Sequence, residues 1–358
     1  MSARDARSGP ARDRASAKGR RTATSARAGG PPSERQRFPN VRSPARRGKE
    51  AAPLPVDGLV VGSVPVLARV VGGILVLAGA VAVAGLFPLY LVAGGTELTQ
   101  ATGVGGVLAG VLVPVAHAAV GVLLLRGAVP KFGLAYAGVA AALALGELLI
   151  EIYRGSSSTA RPGVEVLAGT RVLTGGIEVG PGWVLGLVAL GLTVLAGVLA
   201  AVAWGRTVMD DDGAFDPSRA GVAGAAIVLG VLSVLSLSLP SADVPDRVLV
   251  DPVTGAETVV QQQGPQALLE RPGLALLGGL LLAGALVLCS VVAPSLRPRL
   301  AAVGGLLAIA VTVLAAGFTG IRDAASPDLD WTVPGVGLLL AGVGYVVLTV
   351  LAWRLRRG

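Results

Sequence analysis

Residues 180–206 read GPGWVLGLVALGLTVLAGVLAAVAWGR, and no charged side chain falls between Trp183 and Trp204. As a helix rising 1.5 Å per residue, this stretch sets the two indole rings roughly 31 Å apart. That distance matches the hydrocarbon thickness of a bilayer, at whose two surfaces tryptophan concentrates. The pair Trp331 and Trp353 brackets a second such run, roughly 33 Å long by the same arithmetic. Each stretch therefore reads as a membrane-crossing helix with an interfacial anchor at either end.

Working outward from residues 180–206, the chain offers eight apolar runs long enough to span, at 66–92, 103–125, 132–153, 182–204, 220–240, 273–293, 300–320 and 333–353. The composition agrees, since 53% of the 358 residues are hydrophobic, 15% are charged and the mean hydropathy is +0.72. The expected fold is an all-α integral membrane protein of eight transmembrane helices preceded by a disordered tail. Residues 155–181 and 241–272 carry alternating stretches, such as Arg247 to Val250 and Glu257 to Val260, that are expected as small strands or hairpins.

Residues 1–63 form the basic tail and juxtamembrane segment. Residues 1–50 hold 14 of the 30 Lys and Arg, with few large apolar side chains to offset the entropy of ordering. The first apolar run begins near Val64 and exceeds a signal peptide's core, so the tail is expected to be retained. Arg42, Arg46, Arg47 and Lys49 suit contact with anionic lipid head groups beside the first span. Phe38 is the tail's one aromatic residue, so no nucleic-acid partner is expected.

Arg126, Lys131, Arg206, Arg219, Arg297, Arg299, Arg354, Arg356 and Arg357 all fall on the tail's side of the spans. The excess of basic residues marks that side as cytoplasmic and places both termini there, in a plasma (inner) membrane of a GC-rich bacterium. The opposite loops are richer in acidic residues, with Arg154, Arg161 and Arg171 among the exceptions. Cys289 is the single cysteine, which excludes an intrachain disulfide and a Cys-based metal cage.

Gly180-Pro181-Gly182-Trp183 before one span resembles Val333-Pro334-Gly335 before another, and Ala203-Trp204-Gly205-Arg206 resembles Ala352-Trp353-Arg354. Arg69 and Arg219 stand at equivalent starts. Two parallel four-helix halves, 64–204 and 220–358, are expected around an Asp-rich linker at 205–219. Small-residue spacings such as Gly106 with Gly110 and Gly182 with Gly186 predict close helix packing.

Three intramembrane polar residues are candidates for function. His117 is the only histidine and lies within span two after Pro114. It suits a proton relay, or a neutral imidazole bonded to a neighbouring carbonyl. Glu147 and Glu151, four residues apart, share one face of span three and mark a cavity, an ion path or a pairing with Arg154. His117 and Glu147 differ in depth by roughly 9 Å, so they are not expected to touch. With Ser233, Ser236 and Ser238 they are expected to line a cavity between the halves.

Asp210, Asp211, Asp212 and Asp216 form the densest acidic cluster. Over this one loop it resembles the Asp-rich motifs of membrane prenyltransferases, which implies Mg²⁺ held against a lipid pyrophosphate. Those enzymes need a second such motif, and residues 126–131 and 294–299 contain no acid. The cluster thus reads as a solvated turn, and neither metal, cofactor nor catalytic residue is expected. Nucleotide-binding and hydrolase motifs are absent. Sparse intramembrane chemistry points first to a non-enzymatic scaffold or accessory protein with a membrane protein partner. A secondary transporter with a polar cavity between the halves is the alternative, and a Mg-dependent isoprenoid-lipid enzyme the third reading.

Overall fold

The computed structural model describes residues 60–157, 164–211, 215–240, 242–243, 247–250, 255, 257–260, 267–268, 270–324, 330–331 and 333–355. Arg42, Arg46, Arg47, Lys49 and Asp212 lie outside them, as do the side chains of Asp216 and Trp331. The described residues form eight long helices: α1 (Val66–Gly85), α2 (Gly103–Arg126), α3 (Pro130–Arg154), α4 (Pro181–Trp204), α5 (Asp216–Ser238), α6 (Leu274–Ser295), α7 (Arg299–Ala324) and α8 (Val333–Arg354). All eight are long and apolar enough to cross a membrane, as a multi-pass membrane protein requires.

Local chemistry sets the helix ends. Pro130 and Pro181 open α3 and α4, where a missing N–H costs nothing. Gly127 ends α2 in the left-handed region at φ 68° and donates its N–H to Leu123 and Leu124 carbonyls. The first apolar run, expected to 92, stops being helical at Gly85. Pro88 cannot donate to a helical carbonyl and disfavours helix in the residue before it. The chain turns there into a hairpin of Leu91–Ala93 with Thr96–Leu98, whose two-residue loop is Gly94 (φ 55°) and Gly95 (φ 79°).

Ile177–Val179 adds to the same hairpin as a third strand, and Asp330–Trp331 pairs with Ala242–Asp243. Val164–Leu167 with Thr170–Leu173, and Arg247–Val250 with Glu257–Val260, form the hairpins expected within 155–181 and 241–272. These loops define a hairpin end of the bundle. The opposite, basic end holds Arg126, Arg206 and Arg299, and there Val60–Val61 pairs with Met209–Asp210. Asp210 lies exposed on its strand, so of the described acids in the Asp-rich segment one faces solvent. Asp211 accepts the backbone N–H of Arg299 at 2.5 Å and so caps the start of α7, and α5 already begins at Asp216.

α1 packs against α2 and α4, and α3 against α4, while α5 packs against α6 and α8, and α7 against α8 and α6. The contacts α3–α6, α3–α7 and α2–α7 join these groups. Burial singles out the central pair: 67% of the apolar window of α3 and 72% of that of α7 lie inside the protein, against at most 39% for the other six. The outer helices turn Val66, Leu288 and Leu340 outward. Such contiguous apolar surface is what lipid covers.

Backbones approach closely at two reciprocal glycine pairs. A Cβ on Gly72 would lie 2.7 Å from the Gly121 carbonyl oxygen, and one on Gly121 2.6 Å from that of Gly72, which sets the α1–α2 distance. Gly146 and Gly278 do the same for α3 and α6, at 2.6 and 2.7 Å. Gly106 instead packs against Gln100 and Arg322, and Gly110 against Leu86. Replacing Gly146 by Ala should lower stability by about 1–3 kcal/mol through overpacking. Gly138→Ala on the same helix, where a Cβ meets nothing within 4 Å, should be neutral or stabilising. Thermal unfolding of the two purified variants checks this, and equal loss in both would refute the close α3–α6 crossing.

Candidate functional site

The central helices are lined with small residues. Facing positions such as Ala78, Gly79, Ala144, Gly186, Ala315 and Gly320 leave space that larger side chains would fill. The result is a cavity of about 400 Å³ to which all eight helices contribute, within the range of small-molecule sites. Its walls are mainly apolar. Its polar groups gather in two places, one deep along α2 and one at the hairpin end of α3 and α7.

His117 carries the deep site. Thr193 Oγ1 donates to the Ala189 carbonyl at 2.9 Å, so toward His117 Nε2, 3.2 Å away, it acts as acceptor. With Nε2 protonated, Nδ1 is the acceptor for the Tyr136 hydroxyl 2.9 Å away; the opposite tautomer would reverse that bond. Tyr136 also meets the imidazole edge-on, with ring centroids 5.5 Å apart and planes at 84°. Both ring nitrogens thus lie against hydroxyls from α3 and α4, and the Val113 carbonyl one turn earlier on α2 also bonds the imidazole.

The second site begins on α3, where Glu147, Glu151 and Arg154 follow one face. Arg154 Nη1 lies 3.1 Å from Glu151 Oε2, and the Tyr90 hydroxyl donates to Glu151 Oε1 at 2.5 Å. Trp183 Nε1–H donates to the Glu151 carbonyl at 2.9 Å, its ring lying over Gly155, where a Cβ would come within 2.5 Å. Tyr90 is itself held by the hairpin: its N–H donates to Leu98 and its carbonyl accepts from Gly180, each at 2.9 Å. Burial, then the Glu151 carboxylate, push the Tyr90 hydroxyl well above the ordinary phenol range, so it remains the donor.

Arg271 and Asp323 complete this end. Asp323 Oδ1 accepts from Arg322 at 2.9 Å. Desolvation, followed by the charge of Arg154, lowers Arg271 to about 10, with Asp323 and Glu165 opposing the shift. Beside it the chain closes over the cavity, as Leu268 N–H donates to the Leu237 carbonyl at 2.9 Å and the Ala267 N–H to Glu270 at 3.1 Å. Glu147 differs from its neighbours. It faces the cavity, and among the described residues it forms no hydrogen bond or ion pair.

The structure thus brings His117, Glu147 and Glu151 to one cavity, with no hydrogen bond between His117 and Glu147. Of the three serines expected with them, only Ser236 lines it. Ser233 and Ser238 donate to the Leu229 and Val234 carbonyls of their own helix. Among the tryptophans, Trp204 lies under Lys131 Nζ at 5.6 Å, Trp353 is exposed and Trp183 is bound as described. In the Asp-rich segment, Asp210 accepts the Asp211 N–H at 3.0 Å and Asp211 caps α7. No group of three His, Cys, Asp or Glu suited to a metal occurs among the described residues. Tyr90, Arg271 and Asp323 had no intramembrane signal in the sequence, Tyr90 being read as part of the first span.

Comparison of the chain with protein-family models, curated proteins and solved structures finds no match. Tyr90→Phe should remove one hydrogen bond to a charged acceptor and lower stability by about 1.5–3 kcal/mol. Unfolding in a mixed-detergent series measures this; an unchanged midpoint would detach the hairpin from α3.

Proposed function

We propose that this chain is a secondary transporter of the plasma membrane, with the cavity between two parallel four-helix halves as its substrate site. The single observation behind this reading is the cavity itself, walled by both groups of helices and carrying polar groups at membrane depth. It favours transport over a scaffold, for which no internal space is needed. The Mg-dependent lipid enzyme has no comparable support, since Asp211 is occupied in capping α7.

Matched packing supports the halves. Adding four to each helix number turns α1–α2, α1–α4 and α3–α4 into α5–α6, α5–α8 and α7–α8, all of which pack. The same operation exchanges α2–α7 with α6–α3 and leaves α3–α7 unchanged. Strand pairing repeats as well: the loop after α1 pairs with the strand before α4, and the loop after α5 with the strand before α8. Gly105 and Gly169 at the hairpin end of the first group face Arg322 at the end of α7, which supports a parallel orientation. The excess of Arg and Lys at the basic end supports placing that end, with both termini, in the cytoplasm.

Cys289 is the only cysteine, so Cys289→Ser gives a background free of thiols. In it, Ala144→Cys places one thiol in the cavity wall. Alternating access predicts labelling by an impermeant thiol reagent from both faces of oriented membrane vesicles. Labelling from one face alone, under every gradient applied, would sink the transporter reading and leave the scaffold.

A further inference from the structure

The charges around the cavity do not balance equally. Arg154 is met by Glu151 at 3.1 Å, and Asp323 by Arg322 at 2.9 Å. Arg271 also has partners, with Asp323 and Glu165 acting on it electrostatically. Glu147 faces the same space with neither ion pair nor hydrogen bond among the described residues, Arg154 and Glu151 acting on it only through their charge. It lies seven residues inside the end of α3, roughly 10 Å along the helix axis. A carboxylate at such depth is costly to leave uncompensated.

We infer that the cavity binds a small organic cation, an amphipathic amine, whose ammonium group pairs with Glu147 while its apolar body lies against the alanine and leucine wall. This rests on the reading of the cavity as a ligand site. An amphipathic amine uses both parts of the lining, since its ammonium can reach the Glu147 carboxylate while its carbon body covers the alanine and leucine side chains. No Phe, Tyr or Trp side chain lines the cavity among the described residues, so cation–π attraction is not available as a substitute. The carboxylate is the group that discriminates charge. Ala144, one helical turn before Glu147, and Thr312 and Ala316 on α7 bound the adjoining apolar volume.

The test uses purified full-length protein in nanodiscs and three probes sharing one skeleton: 2-phenylethylamine, 2-phenylethanol and phenylacetate. Calorimetric titration is corrected with Ala144→Trp, which fills the cavity, so that partition into lipid is removed. The wild type should bind the amine at least about tenfold more tightly than the alcohol, as a charge-assisted hydrogen bond implies. Glu147→Gln should abolish that preference while retaining the alcohol, which shows that the variant is folded with its cavity intact. Equal binding of amine and alcohol, tighter binding of phenylacetate, or an amine preference that survives Glu147→Gln would each overturn the cation inference and leave the ligand cavity standing. Failure of all three probes to bind the wild type would overturn both.

Discussion

A bilayer core offers no water, so each backbone N–H and C=O inside it must be satisfied by the chain, and each buried charge must find a partner or a cavity. The first demand makes eight helices of the eight apolar runs. The second decides how those helices turn. The polar residues of α3 and α7 face inward, and these are the two helices most enclosed by protein. The outer faces are left to leucine and valine.

Close packing and open space arise here from the same residue types. At Gly72 with Gly121, and Gly146 with Gly278, absent side chains let backbones approach until no Cβ could be inserted. At Ala144, Ala315 and Gly320 they leave a void that larger side chains would fill. The hairpins then brace the charged end of that void. Gly94 and Gly95 turn the chain after α1, the strand fixes Tyr90, and Tyr90 fixes the Glu151 carboxylate between itself and Arg154. Glu147, one turn deeper, is spared that engagement, and the proposed chemistry of the cavity rests on this contrast.

Much of the fold was legible because hydropathy and length report directly on the bilayer. The errors have local causes. The first apolar run continued to residue 92 by composition, but Pro88 and the paired glycines made its last part a hairpin. Asp210 is exposed, whereas its neighbour Asp211 caps a helix 88 residues away in sequence. The basic residues that broke the charge rule include Arg154, whose charge Glu151 meets. That pair is local, three residues apart on one helix, and its spacing is legible in the sequence.

The sequence by itself determined the eight spans, the segregation of basic and acidic loops, and a short set of polar residues at membrane depth. Those properties follow from the transfer of individual side chains between water and hydrocarbon, which depends on residue type and run length. Only the tertiary structure decided that α3 and α7 are central, that Tyr136 and Thr193 occupy both nitrogens of His117, and that Glu147 faces open space while Glu151 is bound. Two carboxylates four residues apart are chemically alike in sequence. Their difference comes from which side chains neighbouring helices and a distant hairpin bring to each, and that is a property of packing.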